Sequence, residues 1–415
     1  MNERRVLTLN SGSSSLKFAI FAMAPGAEKA LLQGKLERIG AGKGHFEATD
    51  TAKGKVVDED AALPNHQAAL DLLLHRLPAL GLEKAAAIGH RIVQGGPQHR
   101  GPEIVTPQLI HDLRGLCHLD PPHLPAALDA LEAAQKLGPG IPQVACFDTS
   151  FHRTLSPVAQ RLPLPRKLTE NTGLLRYGFH GLSYEFIMAE LTRVAGAETA
   201  NGKVIVAHLG NGASMAAVHL GRSVDTTMGF TPAGGLVMSS RAGDLDPGIL
   251  VYLLRQEHLT ADKMNDFVFQ QCGLKGVSDL SSDLRDLIKV SETNPRAREA
   301  IELFHYSARK ALGSLVAALD GVETIVFTAG IGENAPACRA AICAGLGHLG
   351  LQIDPARNAK NEPVISTATS AITVRVIKTN EELVIARHTA RLAFSKRPAA
   401  PDDASSRAAQ ISVKE

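Results

Sequence analysis

Nowhere in its 415 residues does the chain carry a Gly-x-x-x-x-Gly-Lys-Ser/Thr phosphate loop. Any nucleotide it binds must therefore sit on another loop geometry. There is no Cys-x-x-Cys pair either. The five cysteines, Cys117, Cys146, Cys272, Cys338 and Cys343, are odd in number, which argues against a disulfide framework or structural zinc and fits reduced thiols in a cytosol. No run of about 18 apolar residues occurs, so no membrane-spanning helix and no membrane partner are expected. The start, Met1-Asn2-Glu3-Arg4-Arg5, lacks the apolar stretch of a signal peptide, and a cytoplasmic location is the expectation. Lys and Arg number 44 against 42 Asp and Glu, with no basic run beyond Lys396-Arg397. Nucleic acid is not an expected partner.

Hydrophobic residues make up 44% of the chain and charged ones 21%, near the proportions of a globular protein. The length exceeds what one ordinary core organises, so two domains are expected. The pattern is mixed α/β. Val6-Leu7-Thr8-Leu9 reads as a buried strand, followed by a polar Gly/Ser turn and a strand at 16–21. Helical leucine spacing covers 66–80, a strand 86–93, a helix 123–137 and a strand 144–147. Residues 203–208 then read as a strand, followed by Gly210-Asn211-Gly212 and a strand at 215–220. Helices are expected at 247–256 and 297–319, a strand at 323–328, a glycine turn at 330–334, a helix at 336–346, a strand at 372–377 and a helix at 381–393. Strand, glycine turn, strand at 6–21 recurs at 203–220, which suggests a duplicated domain; the alternative is two unrelated hairpins. The division this implies is 1–150, completed by the helix at 384–394, and 151–383. A disordered tail is expected at 395–415, where Ala, Ser, Pro, Asp and Lys leave little to bury.

Three glycine turns end buried strands. Asn10-Ser11-Gly12-Ser13-Ser14-Ser15 offers backbone N–H and hydroxyl donors, with Lys17 close behind. His208-Leu209-Gly210-Asn211-Gly212 is a second, and Gly330-Ile331-Gly332-Glu333-Asn334 a third, ahead of a helix. Such turns let N–H groups approach phosphate without a Cβ in the way; each taken alone is also an ordinary hairpin or packing turn. Arg91 and Arg241 lie beside glycines in loops suited to holding a planar donor against the spread charge of a transferring phosphoryl group. Asp148, in Phe147-Asp148-Thr149-Ser150-Phe151-His152, ends a strand. It reads either as a carboxylate for metal, proton or substrate or as a helix cap. His180 and His208 sit by glycine turns as neutral donors. His111, His118 and His123 are irregularly spaced among prolines and read as loop and helix surface, with no metal role.

These residues resemble the acetate kinase family, over residues 5 to 393. The resemblance rests on Leu9-Asn10-Ser11-Gly12-Ser13-Ser14-Ser15-Leu16-Lys17-Phe18, Gly89-His90-Arg91, the motif at 147–152, Arg176 to Gly181, His208 to Gly212, Asp225-Thr226-Thr227-Met228-Gly229-Phe230-Thr231-Pro232, the loop from Ser239 to Gly248, Thr328 to Asn334, and Asn380-Glu381-Glu382-Leu383. It implies the duplicated actin/hexokinase-like (RNase H-like) α/β fold, two domains around a cleft, and a homodimer. It also implies a reversible transfer from ATP to acetate giving acetyl phosphate and ADP, with Mg²⁺, or Mn²⁺ in its place. Asn10 and Glu381 would serve the metal. Lys17, His208, Leu209, Gly210, Asn211 and Gly212, Asp283, Leu284 and Arg285, and Gly330, Ile331, Gly332, Glu333 and Asn334 would contact ATP. Arg91, with Val93, Leu119, Phe179 and Pro232, would bind the acyl substrate, and Arg91, Asp148, His180 and Arg241 would be catalytic.

The resemblance labels Asp148 an acid/base. A short fatty acid has a carboxyl pKa of about 4.3, so at neutral pH no proton is left to remove, and Asp148 more reasonably positions Mg²⁺ or Arg91. Departures from the family pattern are Gln94 before Gly95-Gly96, Leu116-Cys117-His118-Leu119-Asp120-Pro121-Pro122, Ser239-Ser240, and Ser183-Tyr184 in place of Ser-His. The second leaves the acyl-chain length open, with propionate or butyrate kinase as the rival. A rival of another class is an actin- or Hsp70-like nucleotide switch.

Overall fold

The computed structural model describes residues 3–12, 15–40, 43–80, 85–121 and 123–395. Ser13 and Ser14 of the first glycine turn, Pro122, and the expected tail beyond Ser395 lie outside them.

One sheet contains β1 (Arg4–Ser11), β2 (Ser15–Ala24), β3 (Ala27–Glu37), β4 (Gly44–Asp50), β5 (Gly54–Ala61), β6 (Ala85–Ile92), β7 (Glu103–Ile104) and β8 (Gln143–Phe147). The other contains β9 (Val204–Leu209), β10 (Ala213–His219), β11 (Arg222–Thr226), β12 (Thr324–Thr328) and β13 (Thr373–Val376). The second sheet has the order β11-β10-β9-β12-β13, antiparallel from β11 to β9 and parallel from β9 to β13. Within the first, β3-β2-β1-β6-β8 repeats that order and those directions. The same unit therefore occurs twice, and the fold is the duplicated, RNase H-like α/β architecture of the actin/hexokinase type.

The main helices are α1 (His66–Arg76), α2 (Leu124–Leu137), α3 (Gly181–Asn201), α4 (Pro247–Gln256), α5 (Pro295–Ala318), α6 (Ala329–Asn334), α7 (Pro336–Cys343) and α8 (Glu381–Phe394); all but α4 contribute to the core. Strand alternation sends successive side chains to opposite faces. In β9, Ile205, Ala207 and Leu209 pack with Phe304, Ala308 and Leu312 of α5. Val204 and Val206 face the other way, onto Tyr184, Ile187 and Leu191 of α3. In β1, Leu7 and Leu9 meet Leu70 and Leu73 of α1, whereas Val6 meets Ala386 of α8. A strand buried on both faces reads as a continuous apolar run, which is why β1 and β9 stand out in the sequence.

Residues 330–334, expected as a turn, are helical. Asn334 Nδ2 donates to the Gly330 carbonyl at 2.9 Å, and the change of direction falls one residue earlier, on Ala329 at φ 65. The helix expected at 336–346 ends at Cys343 and tightens into a 3₁₀ turn, Ala344–Leu349. All five cysteines are free. Among the described residues no helix is long and apolar enough to cross a membrane.

The last helix returns to the first sheet. Ile385 packs with Val144 and Cys146 of β8, and Gly89 of β6 lies directly under it. A Cβ on Gly89 would stand 2.2 Å from Thr389 Oγ1 and 2.5 Å from Ile385 Cγ2. Gly89→Ala should therefore lower stability by about 1–3 kcal/mol through overpacking, read as a lower urea midpoint. Adding Thr389→Ala should recover part of the loss. An unchanged midpoint in the single variant would contradict this seating of α8.

Candidate active site

The parallel strands of both sheets end on the same region, the usual place for a ligand crevice in open α/β sheets. Arg91, at the end of β6, is the first node. Its Nε donates to Asp148 Oδ1 at 3.0 Å and its Nη2 to Oδ2 at 2.6 Å. Its Nη1 reaches Asn10 Oδ1 at 3.0 Å. Asn10 Nδ2 in turn donates to Glu381 Oε2 at 3.1 Å and Glu382 Oε1 at 3.2 Å. Three strand ends and the start of α8 are thus joined by one guanidinium. Burial works to discharge Arg91, but Asp148 and Glu381 outweigh it and keep it more firmly charged than usual. Burial pushes the Asp148 carboxyl up, with Arg91 pulling the other way. For Glu381 burial also pushes up, yet Arg91, His208 and Lys17 win and hold the carboxylate below its ordinary range.

His180 is the second node. It caps α3 from the left-handed region, φ 59, a strained backbone for a non-glycine residue and one that functional sites tend to hold. The turn is held from both sides. Gly181 N–H donates to the Asp148 carbonyl at 2.9 Å, and His152 Nε2 donates to the Phe179 carbonyl at 3.0 Å. His180 stacks on His208, ring centroids 4.1 Å apart. His180 Nδ1 is 2.7 Å from Ser214 Oγ, and His208 Nδ1 is 2.8 Å from Ser183 Oγ. Burial holds His180 well below its ordinary value, with His208 and Arg91 adding to the effect. It lowers His208 to about 4.

The His208 to Gly212 loop closes over these rings. A Cβ on Gly212 would lie 3.1 Å from His180 Nε2 and 3.4 Å from Arg241 Nη1, so both donors face one bare stretch of backbone. Arg241 Nη1 also donates to the Pro232 carbonyl at 3.2 Å, and Nη2 points at His123 Nε2 at 3.4 Å. Among the described residues no carboxylate pairs with it directly, and burial pushes it down to about 10. His123 corrects the expectation of a surface residue. It is buried, its Nδ1 is 2.8 Å from Asp120 Oδ1, and the helical start at Leu124 turns it inward.

On the other flank, α6 abuts the second glycine turn: a Cβ on Gly210 would come within 3.6 Å of Ala329 Cβ. Glu333 is a tie here, its Oε1 accepting from Ala329 N at 2.8 Å and Thr379 N at 3.1 Å. Arg339, wholly buried, donates to the Gly332 and Glu333 carbonyls and to Asn358 and Asn361, bracing the end of α6. Asp283 caps the helix Leu284–Val290, and Leu284 is core. Arg285 is largely exposed with its fork on Asp283, yet it feels Glu37 of the first half.

The structure thus brings together Asn10, Arg91, Asp148, Glu381, His180, His208, Gly212 and Arg241, with Lys17 close enough to act on Glu381. Val93 and Phe179 share one apolar cluster; Pro232 is buried beside Arg241. Leu119 is buried, but outside those contacts. Asp283 and Arg285 stand apart from this cluster. Sequence reasoning missed Ser183, Ser214, Tyr184, Glu382, Arg339 and the inward roles of His152 and His123. His152 and Glu382 fall inside recognised motifs, and Ser183-Tyr184 stood out only as a departure from the family pattern; Ser214 and Arg339 carry no local signal. No group of three or more His, Cys, Asp or Glu suited to hold a metal occurs among the described residues. Mg²⁺ typically takes one or two carboxylates and leaves the rest to phosphate and water, so anionic Glu381 fits it.

His90, His152 and His208 are each held to about 4 by burial, against about 6.5 unfolded. The unfolded chain then binds protons first as pH falls. Stability is whole above pH 6.5 and is lost down to pH 4, by about 1.4 kcal/mol per pH unit for each histidine. Urea unfolding at pH 7.5, 6 and 5 should show this fall, and His90→Gln should reduce the slope by one proton. A flat profile would contradict three neutral buried imidazoles.

The acetokinase family profile matches residues 5–387. The chain is 44% identical over 406 residues to the acetate kinase of Rhodopseudomonas palustris, covering 94% of this chain and 99% of that one. It is 39% identical to the propionate kinase of Citrobacter rodentium, covering 95% and 98%. The crystal structure of Porphyromonas gingivalis acetate kinase superposes with a TM-score of 0.83 at 35% identity, covering 94% of this chain and 99% of that one. A Francisella tularensis propionate kinase gives 0.86 at 33%, with the same coverage. With the duplicated sheets, the Arg91 node and the His180–Gly212–Arg241 pocket all inside the matched span, the chain belongs to the acetokinase family.

Proposed function

We propose that this chain transfers the γ-phosphoryl group of ATP to the carboxylate of a short fatty acid, acetate first, and runs the reaction back to ATP. The observation that carries this reading is the convergence of His180 Nε2 and Arg241 Nη1 on the bare backbone of Gly212, within electrostatic reach of Arg91. Two donors at one point, with the Arg91 cation behind them, suit a phosphoryl group whose charge spreads over its equatorial oxygens. Arg91 orients the acceptor carboxylate, with Val93, Phe179, Pro232 and Leu119 as apolar walls. The carboxylate oxygen attacks in line; its bond to phosphorus forms as the bond to the β–γ bridging oxygen breaks, and ADP carries off that electron pair. His180 and Arg241 hold the equatorial oxygens. Asp148, both oxygens on Arg91, aims the guanidinium and takes no proton. Glu381, with Asn10, would hold Mg²⁺, which when bound neutralises phosphate charge. Lys17 and the residue groups 208–212, 283–285 and 330–334 cradle ATP between the two halves, 1–150 with the last helix, and 151–383.

The homodimer reading draws support from α4. None of its residues is buried, although Ile249, Val251, Tyr252 and Leu254 are all large and apolar. A helix with so much unburied apolar surface calls for a partner, and a second copy of this chain is the occupant proposed. A monomer in sedimentation velocity, unaffected by Tyr252→Glu, would sink that reading.

Acyl phosphate trapped as hydroxamate should appear only with acid, ATP and Mg²⁺ together. Ranking acetate, propionate and butyrate by kcat/KM tests the chain length; one methylene is worth about 1–3 kcal/mol. Arg241→Ala should lower kcat by roughly 10²–10³-fold, and Asp148→Asn by about 10²-fold through misplacing Arg91. No hydroxamate with any acid overturns the kinase reading. Near-normal turnover in Asp148→Asn removes its positioning role.

A further inference from the structure

We propose that Tyr184 and Ser214 are positioning residues that fix which nitrogen of His180 carries its proton, leaving Nε2–H as a donor toward the phosphoryl pocket. The donor role rests on the kinase reading; the proton assignment does not.

The argument counts protons. Tyr184 is wholly buried in the first turn of α3. Among the described residues its hydroxyl has one hydrogen-bond partner, Ser214 Oγ at 2.5 Å. If the phenol accepted from Ser214, its own proton would be buried with no acceptor, a cost large enough to decide the direction. Tyr184 therefore donates. Ser214, also wholly buried, then has its oxygen occupied and its hydrogen to place. The acceptor within reach is His180 Nδ1 at 2.7 Å. A neutral imidazole with Nδ1 accepting must carry its proton on Nε2. Neutrality follows from the setting: the ring is buried and stacked on His208.

The direction of that proton matters because of what faces it. His180 Nε2 and Arg241 Nη1 both approach the bare backbone of Gly212, where a Cβ would stand 3.1 and 3.4 Å from them. In the other tautomer, Nε2 would present a lone pair to the oxygens of an incoming phosphoryl group. Strand register delivers the device: Ser214 pairs with His208 across β10 and β9, so the hydroxyl enters beside the stacked rings. Tyr184 stands where the family resemblance has histidine, and a buried phenol with one acceptor leaves no choice of direction. Phenylalanine would release Ser214 to accept from Nδ1–H instead.

The test uses the full chain with ¹⁵N-labelled histidine, His180 being assigned by loss of its signal in His180→Asn. In the wild type, Nδ1 should show the unprotonated shift and Nε2 the protonated one. Ser214→Ala should mix the two tautomers and lower kcat about tenfold or more, with KM for ATP and acid nearly unchanged. Tyr184→Phe should act in the same direction, and more weakly. Tyr184→His, which keeps a ring N–H donor, should restore both spectrum and rate. A protonated Nδ1 in the wild type overturns the proposal, even if the variants fail to fold. A wild-type spectrum and kcat in folded Ser214→Ala overturn it as well. Absence of any acyl phosphate from the wild type would remove the kinase reading alone, since the spectrum is read without turnover.

Discussion

The first half of the candidate site is arranged around one buried cation. The Arg91 guanidinium binds Asp148, 57 residues away in sequence, and Asn10, 81 residues away. Through Asn10 it reaches Glu381, another 371 positions along. Removing one partner from such a pair leaves an uncompensated charge inside the protein, at about 3–5 kcal/mol. The ends of β1, β6 and β8 and the start of α8 cannot move independently of it. Glycine at position 89 serves the same arrangement, because only a bare backbone lets α8 lie close enough to bring Glu381 to Asn10.

The second half solves a different problem, how to hold neutral donors close together. His180 and His208 are stacked within 4.1 Å, so protonating either would set a cation against its neighbour. Burial keeps both uncharged. Hydroxyls behind the rings, Ser214 and Ser183, satisfy the Nδ1 atoms. The turn that carries His180 is backed by His152, whose Nδ1 is taken up by Ser223 at 2.8 Å. The strain at φ 59 persists because Asp148, His152 and Ser214 over-determine it.

Those two nodes were unequally legible in the amino-acid order. The repeat of strand, glycine turn and strand was, because β1 and β9 are buried on both faces and read as continuous apolar runs. Arg91, Asp148, His180 and Arg241 stood out by their loop context. His123 did not, since its spacing from His111 and His118 has no period; what turns it inward is the start of α2 and its bond to Asp120. Residues 330–334 looked like a turn because two glycines sit there, whereas Arg339 and Asn334 supply hydrogen bonds that make them helical. The edge strand β5, Gly54–Ala61, is rich in charge and mostly exposed and carries no core signature. Tyr184 and Ser214 meet only through tertiary packing, 30 residues apart, and no local pattern encodes that meeting.

The two arginines differ in a way that bears on their roles. Arg91 has its fork filled by a carboxylate, so its charge is largely spoken for and its geometry is stiff. Arg241 has a carbonyl, a histidine nitrogen and no direct carboxylate, and burial already depresses it to about 10. A buried cation whose nearest counter-charge acts only at a distance gains most when a negative group arrives. In the proposed transfer, developing negative charge would find Arg241 uncommitted, while Arg91 has less left to offer. Asp120 acts on Arg241 across His123, near enough to help keep it charged and too far to quench it. In the proposed reaction the division would thus be between an arginine that orients the acceptor and one that answers the moving charge.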